Sequence, residues 1–158
     1  MGTEIERKFL LRDEAWREGA SGLAYRQGYL STDKERTVRV RVVGQQAMLT
    51  IKGMTHGIRR VEFEYPVPQQ DGEQLLALCH RPLIEKTRYR VEHAGLVWEI
   101  DEFHGENAGL VVAEVELEDE AQAIEFPAWV GEEVSDDPRY FNANLARHPY
   151  REWTDGKG

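Results

Sequence analysis

Apolar and polar residues alternate one for one through most of this chain, which is the period of a β-strand and not of a helix. The clearest run is Thr37-Val38-Arg39-Val40-Arg41-Val42, with valines on one side and Arg39 and Arg41 on the other. The same rule predicts strands over residues 4–10, 25–31, 47–53, 58–65, 84 onward, 96–103 and 110–118. Helical signals are few: a short capped helix over 13–18, one capped by Asp71 after Pro66 and Pro68 stop the sheet, one over 119–124, and one with Asp137 at its cap and Pro138 at its first position. A brief strand is expected near Trp129, and the chain is expected to fray after Pro149. No internal repeat or low-complexity stretch divides it, so we expect one domain over residues 1–148 and a flexible tail over 149–158.

What each strand does with its two faces is unusual. One face is apolar; the other carries Arg, Lys, Glu or Asp, with little of the Thr, Ser and Gln of an ordinary wetted surface. Glu4, Glu6 and Lys8 share a face, as do Arg60, Glu62 and Glu64, then Lys86, Arg88 and Arg90, then Glu99 and Asp101, then Glu114, Glu116 and Glu118. Two carboxylates at i and i+2 stand about 6.5 Å apart and repel by about 2.5 kcal/mol at an effective dielectric near 20. Rolled into a closed barrel, acidic and basic faces would meet across a lumen just wide enough for side chains or one small ligand. Charges taken out of water must be paired there, and the apolar faces would turn outward under helices or a partner. The fold class expected is therefore α+β: a closed antiparallel eight-stranded β-barrel with a charged lumen and a few covering helices.

Composition narrows the partners. A formal charge of −9 over 158 residues argues against general binding to nucleic acid or anionic lipid. No stretch approaches the roughly 20 apolar residues of a membrane span, no apolar run near the start resembles a secretory signal, and the one cysteine, Cys79, leaves no intrachain disulfide. A soluble cytoplasmic protein is expected. The five histidines show no spacing that would put two on one face of one element, and Trp98 and Trp129 fall on apolar faces, where they pack. Glu85, Glu92 and Glu102 fall on outward faces.

The order of signs along the chain points to the ligand. Carboxylates dominate the first strand and the last two long ones, while Arg39, Arg41, Lys52, Arg60, Lys86, Arg88 and Arg90 dominate the middle. Guanidinium groups grip phosphate oxygens in pairs, and carboxylates suit hard divalent cations. Together they suit a metal-bound polyphosphate. With Glu4-x-Glu6-x-Lys8, Arg39-x-Arg41, Lys52 in Thr50-Ile51-Lys52-Gly53, Lys86-x-Arg88 and Glu114-x-Glu116 in that order, the chain resembles the CYTH superfamily of triphosphate tunnel metalloenzymes. Within it, the short bacterial inorganic triphosphatases look most similar.

The resemblance implies hydrolysis of tripolyphosphate to pyrophosphate and phosphate with Mg²⁺ or Mn²⁺, in a protein that is often a homodimer. It implies Lys8, Arg39, Arg41, Lys52, Arg60, Lys86 and Arg88 for the anion and Glu4, Glu6, Glu114 and Glu116 for metal. Glu62, Glu64, Asp101 and Glu118 are second-rank ligands or lumen pairing partners. Tyr29, paired with Lys8, is the candidate group that orients or deprotonates the attacking water; a wall residue that only packs and hydrogen-bonds is the alternative. Other activities implied by such a tunnel are a class IV-type adenylate cyclase and a thiamine triphosphatase. A polyphosphate-binding module without catalysis is the competing class, and an RNA-binding barrel is disfavoured by the acidic balance.

Overall fold

A computed structural model describes residues 2–153. Among the described residues nine strands form, in chain order: β1 (Gly2–Leu11), β2 (Gly22–Ser31), β3 (Thr37–Val43), β4 (Gln46–Lys52), β5 (Arg59–Val67), β6 (Ile84–His93), β7 (Leu96–Phe103), β8 (Val111–Glu116) and β9 (Val130–Glu133). All neighbours are antiparallel, in the order β5-β4-β3-β2-β6-β7-β8-β1. The sheet closes where β1 returns to β5, Glu4 facing Arg60 across the seam, and β9 adds a short ninth strand along β1. The expected eight-stranded barrel is thus present, with one strand more.

Outward faces supply the apolar packing. Ile5 and Phe9 of β1, Trp98 and Ile100 of β7 and Ala113 and Val115 of β8 lie under a covering segment that brings Leu117 and Trp129, with Trp16 beside them. On the far side Val40, Val42 and Ala47 are covered by helix α1 (Gln69–Leu78) through Leu76, with Cys79 just beyond it. Contact there is close: a Cβ placed on Gly72 of α1 would lie 2.5 Å from that of Ala47.

A third apolar cluster lies at one end of the lumen. Tyr29, Ile84, Phe103 and Val112 meet Tyr140, Leu145 and Ala146, which belong to a 3-10 turn (Pro138–Tyr140) and to helix α2 (Asn142–Arg147). Asp137 caps that turn as expected, its side chain accepting from the Arg139 N–H. Helix α2 therefore lies across the end where β1, β2, β4 and β7 terminate.

Several expected boundaries shift for physical reasons. Residue Pro66 does not stop the sheet; it sits in β5 opposite Met48, beyond the last β1–β5 pair, where the strand has one neighbour and a missing N–H is tolerated. The helix starts earlier than Asp71, after Pro68, and Asp71 serves its first turn by charge. Residues 13–18 hold only a 3-10 turn, Ala15–Arg17. No helix forms over 119–124, because the Asp119 side chain accepts from the Ala121 N–H and the Gln122 side chain from the Glu118 N–H, fixing a turn instead. Strand β8 ends at Glu116, two residues sooner than alternation suggested. Tyr150–Glu152 forms a 3-10 turn, and Trp153 is buried against Tyr140 and Tyr150, where the sequence leads one to expect a flexible tail; residues 154–158 of that tail lie outside the described residues. Among the described residues no helix is long and apolar enough to cross a membrane.

Candidate active site

The inward faces enclose a cavity of about 280 Å³. Its wall includes Glu4, Glu6, Lys8, Tyr29, Arg39, Arg41, Lys52, Arg60, Glu62, Glu64, Lys86, Arg88, Glu114 and Glu116, so fourteen of the sixteen expected site residues converge on one space. The two others do not line it. Glu118 lies past the end of β8 with an exposed side chain, because the alternation in the sequence runs on beyond the strand. Asp101 is buried beneath the wall: Lys86 Nζ donates to it at 2.8 Å, and Arg88 donates twice, at 2.7 and 2.8 Å. In this structure it serves as the pairing partner of these two cations.

Acidic and basic groups are cross-linked. Lys8 Nζ donates to Glu114 at 2.5 Å and to Glu6 at 3.3 Å; Lys52 Nζ donates to both oxygens of Glu4 and lies 3.7 Å from Glu62. Arg88 reaches Glu99 and Glu114 as well as Asp101. Burial would raise the Glu114 carboxyl, yet Lys8 and Arg88 prevail and hold it well below its ordinary range. Against the same penalty Lys52 lowers Glu4, and Arg88 with Lys86 brings Asp101 down to about 2. Asp101 also attracts Lys86, yet burial, with Arg88 and Arg41 close by, outweighs it and pulls the Lys86 ammonium down to about 7.

A second set of cations is more weakly partnered. Among the described residues, neither Arg41 nor Arg60 forms an ion pair: Arg41 Nε donates to Gln27 Oε1 at 3.0 Å, and Arg60 donates to the Gly53 carbonyl and to Thr37 Oγ1. Arg39 bonds Thr50, approaches Glu64 only at 3.5 Å, and keeps its Nε buried without an acceptor. Burial, then Arg39 and Arg88, depress the Arg41 guanidinium to about 10; burial lowers Arg60 too. A cluster of half-buried and buried guanidinium groups with so few direct ionic partners can accept an anion.

The acidic side has the converse defect. Burial and then Glu114 push the Glu6 carboxyl up to about 7; burial and then Glu4 raise Glu62 and Glu116. Among the described residues no three His, Cys, Asp or Glu side chains are drawn together as a ready metal cluster, and Lys8 and Lys52 hold Glu114 and Glu4. The donor chemistry nevertheless fits a hard divalent cation: all-oxygen, carboxylate, and in excess of its local counter-charge.

Tyr29 reaches the wall from the apolar end, its hydroxyl accepting from Gln27 Nε2 at 3.4 Å, while Lys8 donates to carboxylates and not to Tyr29. The pairing expected between them is replaced by these two separate sets of partners. Sequence reasoning also missed several lining groups. Helix α2 contributes Asn142, whose Oδ1 accepts from Lys86 Nζ at 2.9 Å and from Gln27 Nε2 at 3.1 Å; Lys34 and Thr55 come from loops, and Ser135 follows β9. For Glu99 the signal existed, since it alternates with Asp101 on β7.

Fold and lining together define a class: a β-barrel tunnel whose ionic surface is its interior. The chain belongs to the CYTH domain family, which it matches over residues 2–150. It is 49% identical over 152 residues to an inorganic triphosphatase of Acetivibrio thermocellus, covering 96% of this chain and 97% of that one. Over 149 residues it is 38% identical to an inorganic triphosphatase of Nitrosomonas europaea, covering 91% and 97%. Among solved structures it resembles the inorganic triphosphatase NE1496, at 34% identity, TM-score 0.66 and coverage of 90% and 96%. A Hippeastrum protein described as a putative adenylyl cyclase with dominant triphosphatase activity shares the fold, at 12% identity and TM-score 0.55.

Proposed function

We propose that this chain is an inorganic triphosphatase, hydrolysing tripolyphosphate to pyrophosphate and orthophosphate with Mg²⁺ or Mn²⁺. The observation that carries the reading is the convergence on one cavity of Arg41 and Arg60, which form no ion pair among the described residues, and of Arg39, whose one ionic contact is Glu64 at 3.5 Å. A linear triphosphate supplies counter-charge. Lys8, Lys52, Lys86 and Arg88 complete the set that grips its oxygens, Arg in pairs and Lys as point charges. Glu4, Glu6, Glu114 and Glu116 would hold the divalent ion, with Glu62 and Glu64 behind them; when bound it neutralises charge on the phosphate oxygens. Two relatives named inorganic triphosphatase at 49% and 38% identity support the assignment.

In the reaction, a water oxygen forms a bond to the terminal phosphorus as the anhydride P–O bond breaks, and the water gives up a proton. Tyr29 is assigned to orienting that water, since it lines the cavity while packing in the apolar cluster at its end. The inward aromatics offer little to a nucleobase or thiazolium: Arg41 and Arg88 lie against the Tyr25 ring and Lys86 against Phe103. An unsubstituted chain is therefore favoured. The outer faces of β4 and β5 leave Ile51, Val61 and Tyr65 exposed, which suits a homodimer; a monomer by light scattering at micromolar concentration would refute that part.

The deciding experiment measures phosphate release from tripolyphosphate, ATP and thiamine triphosphate with Mg²⁺, with Mn²⁺ and with EDTA. Metal-dependent release fastest from tripolyphosphate is expected. Heat stabilisation by tripolyphosphate with no release under any metal would make the protein a binding module, and faster turnover of either substituted triphosphate would reassign the substrate.

A further inference from the structure

Arg41 poses a mechanical problem. Its side chain is among the cations that face the cavity, it forms no ion pair among the described residues, and Gln27 holds it only through Nε. Arg39 and Arg88 press on it by like charge. Arg88, by contrast, is fixed by Asp101, Glu99 and Glu114. Without a further restraint, a long side chain so placed would take up many rotamers, and the anion would have to order it on binding.

The restraint is an aromatic ring. Tyr25 lies on β2 between the strands that carry the two arginines, β3 and β6. The Arg41 guanidinium carbon is 4.9 Å from its ring centroid and that of Arg88 is 5.2 Å away, both within the range at which the negative face of a ring attracts a cation. Other uses of this tyrosine are absent: it belongs to none of the three apolar clusters, it does not line the cavity, and its hydroxyl makes no hydrogen bond among the described residues. What remains is its face.

We propose that Tyr25 is a positioning residue, whose ring holds the Arg41 guanidinium beside that of Arg88 in the attitude that receives the polyphosphate chain. This rests on the triphosphatase reading and adds a residue to it that touches no substrate. A triphosphate carries its negative charge before the reaction as well as during it, so the ring acts mainly on binding.

Titration calorimetry with tripolyphosphate in EDTA measures this apart from hydrolysis. Tyr25→Phe keeps the face and is expected to bind within about twofold of wild type, whereas Tyr25→Leu is expected to bind on the order of tenfold more weakly. In turnover assays KM should rise by a similar factor for Tyr25→Leu, with kcat changing less. Tyr25→Trp, which restores a ring, should recover binding. Wild-type affinity in Tyr25→Leu, or equal weakening in Tyr25→Phe and Tyr25→Leu, would overturn the role of the ring. Should the Leu variant fail to fold, Tyr25→Met fills the space with an unbranched chain and is judged by the same Kd. If the wild type neither binds nor hydrolyses tripolyphosphate, the triphosphatase reading falls and the role of Tyr25 falls with it; if the wild type does both and the Leu variant matches it, only the role of Tyr25 falls.

Discussion

Replacing Asp101 by asparagine tests whether the lumen is held together by its ion pairs. The Asp101 carboxylate is 1% exposed and accepts three bonds, one from Lys86 and two from Arg88. Its fall from an ordinary 3.8 to about 2 corresponds to about 2.5 kcal/mol of preference for the ionised form in the folded state. Removing one member of a buried pair typically costs about 3–5 kcal/mol. Lys86 limits the loss, because an ammonium already drawn down to about 7 can shed its proton when its acceptor is neutralised. We therefore expect Asp101→Asn to lose about 3 kcal/mol in urea unfolding at pH 7 in EDTA. The sign with pH is fixed: a depressed carboxyl stabilises above its unfolded pKa and ceases to do so as pH falls through about 2, so the two proteins should converge in strong acid. Tripolyphosphate then provides the discriminating arm. It brings negative charge to the same two cations, so it should stabilise the variant more than the wild type by at least about 1 kcal/mol at equal concentration. A loss below about 1 kcal/mol, or equal stabilisation of both proteins by the anion, would refute the reasoning.

Other perturbations separate charge from packing. Arg41→Met removes a half-buried cation that like charges press upon, so stability to heat should hold or rise by about 1 kcal/mol while phosphate release falls at least about 100-fold; marked destabilisation with activity retained would contradict the account. Lys86 has a folded pKa near 7 against an ordinary 10.5, so the unfolded chain binds the extra proton between those values and stability from this group rises with pH across that window. At pH 8 tripolyphosphate should restore the charge and take up about one proton, measured by calorimetry in two buffers of different ionisation enthalpy; no uptake would count against it. Alanine usually stabilises a helix relative to glycine, but in Gly72→Ala the new Cβ meets that of Ala47 at 2.5 Å, and chemical denaturation should show a loss of about 1–3 kcal/mol.

The sequence made the barrel legible because closure gives each strand two unlike environments. Residues 38–42 and 98–101 follow strict alternation for that reason, valine, tryptophan and isoleucine outside and Arg39, Arg41 and Glu99 inside. Alternation assigns a face but not a depth. Asp101 and Glu99 share a face, yet one lies beneath the wall and the other lines the cavity, because Asp101 is paired with Val112 toward the capped end and Glu99 with Glu114. A depth signal was nonetheless written in the chain. Two residues from Lys8, Asp101, Glu114 and Lys86, on the same inward faces, stand Leu10, Phe103, Val112 and Ile84. Antiparallel pairing puts all four at one end, so the charged zone has to stop there and something apolar has to close it. What closes it could not be read locally. A six-residue helix has little intrinsic stability, and its seat over the lumen follows from β9 pairing with β1 and from the Asp137 turn, both remote from the strands that Asn142 bonds. The chemistry at that end, where Asn142 joins Lys86 to Gln27 and Gln27 joins Arg41 to Tyr29, is therefore a property of the closed fold.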